Sequence, residues 1–142
     1  MSRLILSVLV FVISMSFVYA DDILISKAAP DAKVYFIQPA DGAVVGKSFV
    51  VKFGLSGMGV APAGIDREHT GHHHILIDLE SLPDMTKPLP ANDNVKHFGG
   101  GQTETMLTLE PGTHTLQLLL GNHLHIPHDT PVMSEKITIT VE

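Results

Sequence analysis

The sequence predicts an all-β fold, an antiparallel immunoglobulin-like β-sandwich of about seven strands. Three observations carry this expectation. Short apolar runs alternate with period two, Gly- and Pro-rich turn signals separate them at regular spacing, and no 11-residue window holds a convincing helical period. Cysteine is absent, so the sandwich has no disulfide and its hydrophobic core must hold it.

The chain opens with a single charge at Arg3, followed by an apolar run over residues 4–18 interrupted only by serines. Val18 and Ala20 stand where a signal peptidase requires small side chains, which makes residues 1–20 a secretory signal peptide cleaved after Ala20. The competing reading is a retained anchor, for which this segment is only just long enough. Cleavage takes 20 of the 142 residues and leaves 122, enough for one domain with a real core. The mature chain carries eight Lys and Arg against fifteen Asp and Glu, a formal −7. No basic stripe exists, so nucleic acid is excluded as a partner. No second apolar run reaches membrane-spanning length.

Residues 21–33 read as a polar leader and residues 34–142 as a single β-sandwich domain. Val34-Tyr35-Phe36-Ile37 begins the strands, and Gln38-Pro39-Ala40-Asp41-Gly42 turns the chain. Residues 44–46 form a short edge strand. Residues 48–55 then alternate, with Phe49, Val51, Phe53 and Leu55 on one face. Residues 56–71 are a loop of small residues, and residues 72–79 form the next strand. Pro83, Pro88 and Pro90 keep residues 80–94 from forming a helix. His97 and the glycines after it form a turn entering a strand over residues 105–109. Glu110-Pro111-Gly112 leads tightly into a strand over residues 113–121. A histidine-bearing turn covers residues 123–131, and residues 135–141 close the domain as an alternating strand.

Nine histidines in a chain without cysteine or tryptophan are the compositional feature to explain. On a strand, residues two apart share a face with Cα atoms about 6.5–7 Å apart, so His-x-His brings two imidazoles to one ion. His72 with His74 is one such pair and His123 with His125 a second; His97 and His128 lie in adjoining loops as reserves. An all-imidazole site without thiolate favours copper or zinc, copper having the greater intrinsic affinity. Met58, Met85, Met106 and Met133 offer thioethers to Cu(I), but their spacing fits core filling better. Asp78, Glu104 and Asp129 are placed to orient imidazoles. His73 has the opposite parity and is expected to pack and hydrogen-bond. His114 follows Pro111-Gly112-Thr113, where sandwich domains place a tyrosine that ties down the corner, and is expected to replace it. The bland alternative is that the histidines are structural hydrogen-bonding groups. No nucleophile elbow, phosphate-binding loop or His-Glu-x-x-His motif is present.

Gly57-Met58-Gly59-Val60-Ala61-Pro62-Ala63-Gly64, Thr70-Gly71-His72-His73-His74-Ile75-Leu76-Ile77-Asp78, His97-Phe98-Gly99 through Thr103-Glu104, and Pro111-Gly112-Thr113-His114-Thr115-Leu116-Gln117-Leu118 together resemble domain-of-unknown-function family 4399. The resemblance spans residues 35–141. It implies a bacterial exported protein; some members carry an unsupported rod-shape-determining label that belongs to a polytopic membrane protein. It transfers no ligands.

The expectation is therefore a periplasmic or secreted β-sandwich that binds copper or zinc as a carrier or sensor through His72, His74, His123 and His125, with His97 and His128 in reserve. The alternatives are a non-catalytic cell-envelope interaction module that meets another envelope protein, and a small metal-dependent enzyme.

Overall fold

A computed structural model describes residues 25–142; the signal segment and the first residues of the leader lie outside the described residues. Nine strands form there, in two sheets. The smaller sheet has the order β1-β3-β7, with β1 at Lys33–Gln38, β3 at Ser48–Ser56 and β7 at Glu104–Thr108, all antiparallel. The larger holds β2 (Val44–Val45), β9 (Ile137–Val141), β8 (Gly112–Gly121), β5 (Thr70–Ile77) and β4 (Gly59–Val60) in that order, and β6 (Val95–His97) also pairs with β5.

Two expectations need correction. The sheets are not wholly antiparallel, because β2 runs parallel to β9 and β4 parallel to β5. The strands also number nine rather than about seven. The additions are two or three residues long, too short to show a period, and form because a longer strand offers them an edge. At the first of these crossings the chain leaves the small sheet through a cis Gln38-Pro39 peptide. Proline has no N–H for the ladder. The Asp41 carboxylate accepts from Thr138 N at 2.8 Å and Gly42 N donates to Thr138 O at 2.7 Å, which fastens the crossing beside β9.

The alternation in β3 buries Val51 and Phe53 almost completely, with Phe49 beside them. They face Ile75 and Ile77 of β5, Leu116, Leu118 and Leu120 of β8, and Ile139 of β9 across the sandwich. A second, smaller core lies on the outer face of the large sheet. There Leu76 and Leu119 are covered by Leu89 and Val95, with Leu79 and Met85 packed alongside. Proline-rich residues 78–94 thus serve as a cover. Strand β5 is consequently buried on both faces from Gly71 to Ile77, which is why its residues read as an uninterrupted buried run rather than a clean alternation. Its odd members 73, 75 and 77 point into the sandwich, and its even members 72, 74 and 76 point under the covering loops.

Candidate metal centre

The parity of β5 sets the site. His72 and His74 project from the outer face, 0% and 1% exposed, with their ring centroids 4.9 Å apart. The neighbouring strand makes room for them. Gly121 of β8 lies opposite His72, and a Cβ on it would come within 2.8 Å of the His74 ring. Any larger residue there would push the ring out of place.

The third imidazole comes from β6. Phe98 N donates to His73 O and Ile77 N donates to Asn94 O, so the intervening His74–His97 pair belongs to the non-hydrogen-bonded class. Side chains stand closest in pairs of that class. The His74 and His97 ring centroids lie 5.1 Å apart. Gly99 clears the ground beneath His97, since a Cβ there would meet the His97 ring.

The fourth imidazole comes from the turn after β8. Buried Asn122 organises this turn: its carboxamide oxygen accepts from Leu124 N at 2.9 Å and from Ile126 N at 3.0 Å. His125 N donates to Asn122 O, and His125 adopts a left-handed backbone with φ 65°. The turn aims His125 back at the sheet, with Nδ1 3.0 Å from His72 Nε2, so one of these two nitrogens donates to the other.

One ring nitrogen from each of His72, His74, His97 and His125 lies within 4.8 Å of all the others, a cluster able to coordinate a metal ion. Four nitrogens at Zn–N distances of about 2.0–2.1 Å stand about 3.3 Å apart in a tetrahedron. The cluster, with its nitrogens within 4.8 Å of one another, is somewhat wider than that. Its electrostatics suit a cation in one respect. Burial, reinforced by the neighbouring imidazoles, lowers His72 to about 4 and His74 to about 3. Burial and His125 also lower His97. The lone pairs of His72 and His74 are therefore free of protons at neutral pH. His72 Nδ1 and both nitrogens of His74 are buried without a hydrogen-bond partner, a condition that is rare and costly in a folded protein.

The other histidines go elsewhere. His123 lies outside the cluster, with Nδ1 3.4 Å from Asp66 Oδ1. Residues 122–126 are a hydrogen-bonded turn and not a strand, so the two-residue spacing of His123 and His125 does not put them on one face. His128 is buried and donates from Nε2 to Thr70 O at 3.2 Å. His73 packs against Phe53, with centroids 4.7 Å apart, but neither of its nitrogens finds a partner, contrary to the hydrogen bonding expected of it. Nor do the three carboxylates orient the clustered imidazoles. Asp78 bonds His114 at 2.7 Å, Glu104 pairs with Lys52 at 3.7 Å, and Asp129 accepts from Ala28 N at 3.0 Å. His114 does tie down its corner, donating from Nε2 to Glu110 O at 2.8 Å.

Fold and site together define an all-β domain with a four-imidazole cluster. The chain belongs to the family described as domain of unknown function DUF4399, whose model matches residues 51–142 and so takes in all four clustered histidines. No curated protein matches the chain. Among solved structures, the X-ray structure of the endo-β-1,4-mannanase from Thermotoga petrophila aligns at 18% identity with a TM-score of 0.47. The alignment covers 79% of this chain and 20% of that one, and a likeness of this size carries no argument. Among the described residues, no helix is long and apolar enough to cross a membrane.

Proposed function

We propose that this domain is an exported, periplasmic carrier or sensor of a transition-metal ion, copper or zinc, with His72, His74, His97 and His125 as ligands. One observation carries the reading. Four imidazoles from three separate parts of the chain converge within 4.8 Å, and one of them, His74, has two buried nitrogens without a partner. Histidines serving as structural hydrogen-bonding groups would be satisfied. A bound ion takes one of those lone pairs, and the neutral, thiolate-free donor set suits copper and zinc. Export is argued from Arg3, the apolar run over residues 4–18 and Ala20. For the scaffold we propose an immunoglobulin-like layout, with β1, β3 and β7 facing β2, β9, β8, β5 and β6.

The test is elemental analysis of residues 21–142, purified without a histidine tag, before and after a chelator. The expected result is near-stoichiometric copper or zinc that strips and rebinds, and that is lost when His72 and His74 are both alanine while the fold remains. A chain that takes up neither ion and whose melting temperature ignores both would overturn the reading.

A further inference from the structure

The four imidazoles are not held alike. His72 and His74 are fixed by a central strand, paired with β8 on one side and with β4 and β6 on the other, and both are buried. His125 is only partly exposed. Its main chain is bonded in both directions, its N–H donating to Asn122 O and its carbonyl accepting from Leu89 N, each at 2.9 Å. Its ring is also bonded to His72. His97 differs on every count. It is the exposed member of the cluster and the last residue of the three-residue edge strand β6. Three glycines follow within four residues. Among the described residues no hydrogen bond holds its ring, whose neighbours are other imidazoles at centroid distances of 4.6–5.1 Å. Beside it opens a cleft of about 370 Å³, walled by His97, Phe98, Met106 and Leu107 between β6 and the edge strand β7.

Resting on the metal-binding reading, we infer that His97 is the exchangeable ligand. His72, His74 and His125 retain the ion, while the His97 imidazole gives way to an incoming monodentate nitrogen donor, an imidazole presented by the acceptor of the ion. Closed four-coordinate sites hold metal as structure, and sites with an open fourth position exchange ligands. This cluster moves between the two by displacing one exposed ring. No bond is oxidised or reduced. One metal–nitrogen bond forms as another breaks, and the displaced imidazole leaves neutral.

The experiment loads cobalt(II), a spectroscopic stand-in for zinc, into the unaltered mature chain and into His97→Ala and His74→Ala variants. The absorption of the ion, its transfer rate to a chelator and the thermal melt of each metal-free variant are measured. His97→Ala should still take one cobalt per chain and release it to the chelator at least about tenfold faster than the unaltered chain, since weakened sites lose affinity mainly through dissociation. Added free imidazole should restore the four-coordinate absorption. His74→Ala should not load under the same conditions. Loss of loading in a folded His97→Ala equal to that in His74→Ala would overturn the inference while leaving the metal reading intact, as would an absorption unmoved by imidazole. Failure of the unaltered chain to load cobalt, zinc or copper would overturn both. Should His97→Ala melt far below the unaltered chain, His97→Gln supplies the same comparison.

Discussion

At residue scale, two adjacent histidines on β5 pose the same energetic problem on opposite faces of the sheet. His73 and His74 are both buried with neither nitrogen partnered, and burial lowers both, to about 4 and about 3. An unpaired buried polar group costs about 1–3 kcal/mol, and an apolar replacement of similar shape removes that cost. Leucine at either position should therefore leave the metal-free domain as stable as before or more so, as urea denaturation would show. Metal uptake should separate them: His73→Leu retains it because the ring faces Phe53 inside the sandwich, and His74→Leu loses it. Uptake lost equally in both would mean that the parity of β5 does not set the site. That parity was legible in the sequence for His72 and His74, because period two on a strand is geometry alone. It misled for His123, because Asn122 bends the backbone into a turn where period two does not apply.

At the scale of elements, the corner before β8 shows how a short motif acquires a pH dependence. The two His114 nitrogens lie 2.7 Å from Asp78 Oδ2 and 2.8 Å from Glu110 O. Both oxygens accept, so the arrangement is best satisfied by the doubly protonated ring. The Asp78 carboxylate raises the His114 pKa in the folded state, burial opposing it to a lesser degree. A raised folded-state value means that the stabilisation is fully present below the unfolded value of about 6.5 and is lost as pH rises through the folded one. His114→Phe should then cost about 1–2 kcal/mol at pH 6, allowing for partial solvent screening, and less at pH 9. A gap between the two proteins that stays constant from pH 6 to pH 9 would show that the pair contributes no charge. The corner could be read from Pro111-Gly112 and the position of His114, and β3 and β9 from their alternation. Strand β6 could not. Val95-Lys96-His97 is too short for any period, and it becomes a strand only because β5 offers it an edge. The place of His97 in the cluster was hidden for the same reason: the sequence offered it only as a reserve in an adjoining loop, and its pairing opposite His74 is a tertiary fact. Two-residue β4 escaped for that reason as well, and although residues 44–46 were read as an edge strand, the parallel pairings of β2 and β4 were not legible.

At the scale of the whole molecule, the domain concentrates its polar burial on one strand and leaves the metal-free fold exposed to acid. His72, His73 and His74 have folded-state values of about 3–4 against about 6.5 when unfolded. In that window the unfolded chain binds more protons than the folded one, so stability rises with pH there. The contribution is complete above about 6.5 and is withdrawn as pH falls towards 4, and buried His128, lowered by desolvation, acts in the same direction. His97 is lowered as well, and the His114 corner, which has the opposite sign, is one group against five. Metal-free protein should consequently lose melting temperature steadily from pH 7 to pH 4.5, and the His73→Leu variant should lose less. Metal acts against the same slope. An ion that binds only the folded state at a hundred times its dissociation constant adds about 2.7 kcal/mol, roughly 10 °C for a domain of this size. It holds the lone pairs that protons would otherwise take, so the gain at fixed metal concentration should shrink as the pH falls. Differential scanning calorimetry at several pH values, with chelator and with zinc, measures both effects together. A metal-free melting temperature that is flat across this range would show that these histidines are protonated alike in the folded and unfolded chains. The burial of β5, which places the candidate ligands and keeps their lone pairs free, would then not be what governs their protons.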